Sequence, residues 1–273
     1  MSSPLHHAHH LHAQAPEHNG RGIQADRRCR DASCYASQNK FGRLFDERIY
    51  ENDLAVRLRF DGFDVHTQVP VAVTHGSFEK TYYLDLVVDH MLYELKVVSQ
   101  LLAEHQAQVL HYAMLNDVQR AKLLNFRSAR VEGWLQYNPM TEALRHQPKW
   151  ITREWKAATP GCERLLTHVT DIVQDWGTHL DSRLYHEAII HHFGGELECL
   201  QRVPVMQQGR LLGTHLIHRH AMDHCFVVTA IHRDVDEHRR HLQCQVENLE
   251  VKAMQWINFN HSDIEFTTLF SGR

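Results

Sequence analysis

YYLDLVVDHMLYELK, residues 82–96, is the one place in the chain where acids and a base are threaded through strongly apolar, strand-like runs. Residues 82–88 and 91–98 are rich in Tyr, Val, Leu and Met and flank Asp89-His90, the pattern of two short strands joined by a tight turn. Side chains alternate across a strand, so Glu94 and Lys96 share one face while Tyr93, Leu95 and Val97 take the other. Pairing the two strands brings Asp85 up to Glu94. Two carboxylates and an ammonium at one sheet edge suit a hard, oxygen-preferring cation such as Mg²⁺, with the lysine beside a water that the cation activates. A Glu-x-Lys triplet by itself arises about once by chance in a chain this long, and the plain alternative is a solvated strand face carrying a salt bridge. Asp85 shifts the balance, because a carboxylate inside an apolar run is expensive unless it is paired or bound to a metal.

Around this stretch, 273 residues provide for one large domain or two smaller ones. No apolar run is long enough to span a bilayer, and the start, MSSPLHHAHHLHAQ, lacks an apolar signal core, so a cytoplasmic location is expected. The six cysteines are scattered without a CxxC pair, which argues for free thiols over a disulfide framework or zinc ribbon. A net charge of -4 with neutral histidine excludes the broad basic field of a strong nonspecific duplex binder, so nucleic-acid contact is expected to be local. The 25 histidines add positive charge as the pH falls from about 7 to 6.

Residues 1–40 read as a disordered, His-rich leader: His6, His7, His9, His10, His12 and His18 stand among Ala, Pro, Gly and Gln, followed by Arg27, Arg28 and Arg30, with no sustained period. Residues 45–60 have the apolar recurrence of an amphipathic helix that places Glu47 and Tyr50 on one side, and Gly62 ends it. A strand over 63–73 with Pro70 near an edge follows, then the hairpin, then a helix over 101–115 that sets Gln108 and Tyr112 four apart, then a strand over 121–126. The order helix, three strands, helix, strand describes a small α/β unit.

The order Glu47-x-x-Tyr50, QVPV at 68–71, YLDLVVD, ELK, His105-x-x-Gln108-x-x-x-Tyr112 and LLNF at 123–126 resembles the GxxExxY family of the PD-(D/E)XK nuclease superfamily. The likeness covers roughly residues 42–130, with Leu44 where the family name has glycine. It implies a restriction-endonuclease-like fold, Mg²⁺ or Mn²⁺ as cofactor and DNA or RNA as partner. It also implies that Asp85 and Glu94, with the Leu95 carbonyl, bind the metal, and that Lys96 positions or activates the attacking water and offsets charge on the phosphate. Glu47 then supports the metal shell, and Gln108 with Tyr112 orients the site.

The chain also resembles itself. Tyr185, Val203-Pro204, Thr214 and Ile257-Asn258-Phe259 repeat Tyr50, Val69-Pro70, Thr81 and Leu124-Asn125-Phe126 at offsets of 135 to 133 residues. The expected fold is therefore α/β, in two tandem units each built as a small mixed sheet flanked by helices. The expected domains are a nuclease-like 41–137, a linker and helix at 138–177, and a degenerate copy at 178–273 that takes the place of a dimer partner. At the offset of 133, Asp85 falls on His218, Glu94 on Val227, Lys96 on Thr229, Gln108 on His241 and Tyr112 on Gln245, so the copy lacks ligands for a hard cation. His215, His218, His220 and His224 leave a softer metal as another possibility. The leading expectation is a Mg²⁺-dependent nuclease with one working site; the alternative is a non-catalytic nucleic-acid- or protein-binding module that keeps the fold.

Overall fold

In a computed structural model of the chain, the structure describes residues 20–272, with side chains from residue 31 onward. The expectation for residues 1–19 lies outside these residues. From Gly20 the expected leader is corrected: helix α1 runs Gly20–Phe41. Its packed face carries Ser33, Cys34, Ser37 and Gln38, all buried, so there is no apolar period to read. That face is held by polar contacts. Gln38 donates to the Phe126 and Ser128 carbonyls at 2.8 and 2.9 Å, and Ser33 donates to Asp61 at 2.8 Å.

The chain divides into two compact units between Thr141 and Glu142, with His75–Phe78 belonging to the second. The first unit continues with α2 (Glu47–Phe60), β1 (Val65–His75), β2 (Phe78–Val88), β3 (Met91–Lys96), α3 (Ala103–Leu115), β4 (Arg120–Asn125) and β5 (Glu132–Tyr137). Its sheet has the order β1-β2-β3-β4-β5. β2 and β3 are antiparallel, β3 and β4 are parallel across the α3 connection, and β4 and β5 are antiparallel. Helix α2 starts with Glu47 in its first turn and ends with Arg57 and Arg59 in its last, which complements the helix dipole. Tyr50, Leu54, Ala55 and Leu58 of α2 form a core with Leu86, Val88, Tyr93, Leu95 and Leu124 of the sheet. Burying each such leucine removes enough apolar area to contribute about 2 kcal/mol.

The second unit comprises α4 (Glu142–Arg145), β6 (Lys149–Glu154), α5 (Pro160–Trp176), α6 (Ser182–His192), α7 (Glu196–Cys199), β7 (Leu200–Gln207), β8 (Arg210–Ala221), β9 (His224–Thr229), α8 (Val235–Asn248), β10 (Ala253–Asn260) and β11 (Asp263–Phe270). The linker expected at 138–177 is thus corrected. β6 joins the second sheet, of order β6-β11-β10-β9-β8-β7, and pairs in parallel with β11. β6 is short, at an edge and mostly exposed, so its pattern is no more apolar than a loop's. Helix α5 opens with Pro160 in its first turn and the Thr159 side chain accepting from the Cys162 N–H at 3.4 Å.

The two sheets repeat in register. Leu92↔Ala121 through Lys96↔Asn125 on β3–β4 recur 133 residues later as Cys225↔Met254 through Thr229↔Asn258 on β9–β10. Asn125↔Glu132 on β4–β5 likewise recurs as Asn258↔Glu265 on β10–β11. Buried polar contacts recur too. Tyr50 donates to the Gly42 carbonyl at 2.9 Å and stacks on Phe126 at 4.6 Å; Tyr185 donates to the Gly177 carbonyl at 2.6 Å and stacks on Phe259 at 4.3 Å. Gly42 and Gly177 both hold positive φ, 75° and 74°, a conformation glycine adopts without strain. The Asn125 amide makes two bonds to the Val98 backbone, and the Asn258 amide makes the same two to Ile231.

One expected correspondence is corrected. The β8–β9 register shifts between Arg219 and Ala221, so that His218 pairs with Phe226, as Leu86 pairs with Tyr93. Asp85 therefore corresponds to Ile217 rather than to His218, because the irregularity absorbs one residue.

Candidate active site

The alternation along β2 and β3 puts Leu86, Val88, Tyr93 and Leu95 into the core shared with α2, which leaves Asp85, Glu94 and Lys96 together on the opposite face. Lys96 Nζ donates to Glu94 Oε1 at 2.7 Å. Asp85 Oδ2 accepts from the Leu95 backbone N–H at 2.8 Å, so the acid of one strand is tied to the strand that carries the other. Glu47, at the start of α2, reaches the end of β3 and accepts from the Val97 N–H at 3.1 Å. On α3, Gln108 donates to the Tyr112 hydroxyl at 3.0 Å, and the charges of Glu94, Lys96 and Asp85 all bear on that hydroxyl. The structure thus brings together the side chains of Asp85, Glu94, Lys96, Glu47, Gln108 and Tyr112, while Leu95 contributes its backbone.

The electrostatics of the cluster are set by burial. Glu94 is 2% exposed, and its Oε2 is buried without a hydrogen-bond partner. Burial first and the Asp85 charge second push its carboxyl up to about 8, against the opposing pull of Lys96. Asp85 is raised by burial and restrained by the Leu95 N–H. For Lys96, burial works to lower the pKa, but the Glu94 carboxylate outweighs it and the ammonium is stabilised. Lys96 accordingly presents a fixed positive charge beside Glu94.

Sequence reasoning missed two residues that touch this cluster. Glu51 of α2 is buried, accepts twice from Arg48 Nη1 at 3.0 Å and accepts from Gln68 Nε2 at 2.9 Å. Gln68 Nε2 also lies 3.3 Å from Asp85 Oδ1. A signal for Glu51 was present: it shares the buried stripe of Leu54, Ala55 and Leu58, where an acid is out of place.

Whether these residues fit a divalent cation is tested by the donor set. Among the described residues no group of three or more His, Cys, Asp or Glu side chains is gathered closely enough to hold an ion outright, and this includes the histidines of the second unit. Mg²⁺ needs less, since it keeps several waters and takes one or two carboxylates. The unpartnered Oε2 of Glu94 beside Asp85 supplies that, and a cation there would offset the burial that raises both acids and the Asp85 charge that adds to it at Glu94.

In the second unit the corresponding places on β8 and β9 hold Ile217, Val227 and Thr229. Five cysteines among the described residues, Cys34, Cys162, Cys199, Cys225 and Cys244, are free thiols. No helix among the described residues is long and apolar enough to cross a membrane. No curated protein and no solved structure matches the chain. A family model of the PD-(D/E)XK nuclease superfamily does match, over residues 29–136, which is the part of the chain that carries the acidic cluster.

Proposed function

We propose that the first unit is a Mg²⁺- or Mn²⁺-dependent nuclease of the GxxExxY type, hydrolysing phosphodiester bonds of DNA or RNA, and that the second unit is a diverged, catalytically silent duplicate. The reading is carried by one observation: Asp85, Glu94 and Lys96 share a sheet face, with a buried Glu94 oxygen that has no partner. Asp85 and Glu94 would hold the ion, which when bound supplies Lewis-acid polarisation of the phosphate and a more acidic water. Lys96 keeps its ammonium beside Glu94 and offsets the charge that develops on the phosphate oxygens. Glu47, fixed to the Val97 N–H, keeps the start of α2 against the end of β3, and Gln108 orients the Tyr112 hydroxyl. The repeated register and the repeated Tyr–Gly and Asn–backbone contacts support the duplication.

The test uses the full chain with single-stranded and duplex DNA and with RNA, in Mg²⁺ or Mn²⁺ and in chelator. Cleavage that needs the cation and is abolished in Glu94→Ala and in Lys96→Ala is expected. Undiminished cation-dependent cleavage in both variants would overturn the assignment. Nucleic-acid binding that ignores chelator, without cleavage, would make the fold a binding module instead.

A further inference from the structure

Gln68 has a backbone that its side chain does not favour. It sits inside β1 at φ 50°, in the left-handed region that glycine enters freely and that other residues rarely occupy. From this position its amide nitrogen donates to two acids at once, to Glu51 Oε2 at 2.9 Å and to Asp85 Oδ1 at 3.3 Å. Both neighbours are acceptors, so the nitrogen and not the oxygen of the amide faces them. The other oxygen of Asp85 is held by the Leu95 N–H at 2.8 Å. The Asp85 carboxylate is therefore held at both oxygens. Glu51, 3% exposed and paired with Arg48, is the fixed post to which the amide is tied.

We infer that Gln68 is a positioning residue of the cation site: anchored on Glu51, it fixes the orientation of the Asp85 carboxylate, and its strained backbone is retained for that task. The inference rests on the cation-site reading above. A residue that served the fold alone would do better as glycine at this φ, whereas second contacts that orient a ligand oxygen are where local strain is kept.

The experiment compares Mn²⁺ affinity, read from the electron paramagnetic resonance of the free ion, with thermal stability in the full chain. Gln68→Gly is expected to melt at the native temperature or above while binding Mn²⁺ about tenfold more weakly. Glu51→Leu should weaken binding by a similar factor, and the double variant should be no weaker than either alone, because both substitutions cut one tie. Native Mn²⁺ affinity in Gln68→Gly overturns the inference and leaves the nuclease reading standing. A Gln68→Gly protein that loses stability and cation together also overturns it, since the role is then structural. Weakened Mn²⁺ binding in a stable Gln68→Gly protein, when the native chain cleaves no nucleic acid, supports the inference and removes the hydrolase reading.

Discussion

On β2 and β3 of the first unit, the face opposite the α2 core carries Asp85, Glu94 and Lys96; on β8 and β9 of the second, the same register carries Ile217, Val227 and Thr229. The residues that hold the strands in place are kept in both. Asn125 and Asn258 are fully buried and bridge the same backbone positions, and Tyr50 and Tyr185 donate to glycine carbonyls eight residues upstream. The difference separates what a fold needs from what a reaction needs. A buried asparagine with both ends bonded cannot be removed without orphaning its partners. A buried Glu94 with an unpartnered oxygen costs stability, and under the proposed duplication a silent unit is free to hold valine at that place.

The comparison breaks most visibly in catalysis. Glu94→Ala or Lys96→Ala is expected to lower cation-dependent cleavage by about a thousandfold or more, while Val227→Ala or Thr229→Ala leaves the rate within about twofold. Initial rates on a labelled oligonucleotide check this, and an equal loss in the second-unit variants would mean that both units work.

The next largest effect tests the shared frame. Asn125→Ala and Asn258→Ala should each destabilise their own unit by about 2–3 kcal/mol, because each leaves buried backbone groups unpaired. Urea unfolding followed by hydrogen exchange in each half reads the loss, and unequal losses would show that the repeated contacts do unequal jobs.

The two units should also respond to pH in opposite directions. In cation-free protein, Glu94 is raised from the ordinary carboxylate range to about 8, so its contribution to the first unit's stability is fully present at low pH and is lost as pH rises through 8. Burial lowers His186, His192 and His220 of the second unit to about 4, neighbouring imidazoles adding to the effect. That stability is present above about 6.5, the ordinary imidazole value, and is lost as pH falls toward 4. Exchange protection corrected for intrinsic rates should therefore move oppositely in the two halves between about pH 5 and 6.5, while from about 6.5 to 8 only the first half loses protection. The smallest effect is expected from Tyr50→Phe and Tyr185→Phe, about 1 kcal/mol each for one hydrogen bond.

Much of this arrangement was legible because it rests on period and chemistry together. The alternation through Leu84–Val88 and Leu92–Lys96, the turn at Asp89 and the helix stripe of Tyr50, Leu54 and Leu58 are patterns that burial imposes directly. What stayed hidden is held by polar contacts or lies at an edge. Helix α1 packs through Ser33, Ser37 and Gln38. β5 and β6 are outer strands with no fully buried residue. The register slip at Arg219–Ala221 has no composition of its own, and it moved the partner of Asp85 by one residue. Gln68 was visible within QVPV, but its left-handed backbone and its hold on two acids depend on residues 17 positions away on either side.

The central claim, that strands β2 and β3 build one divalent-cation site, is tested most directly by calorimetric titration of the full chain with Mn²⁺, native against Asp85→Ala. One site per native chain, absent from the variant, is the expected result. No uptake by the native protein, or uptake that survives the loss of Asp85, would contradict it.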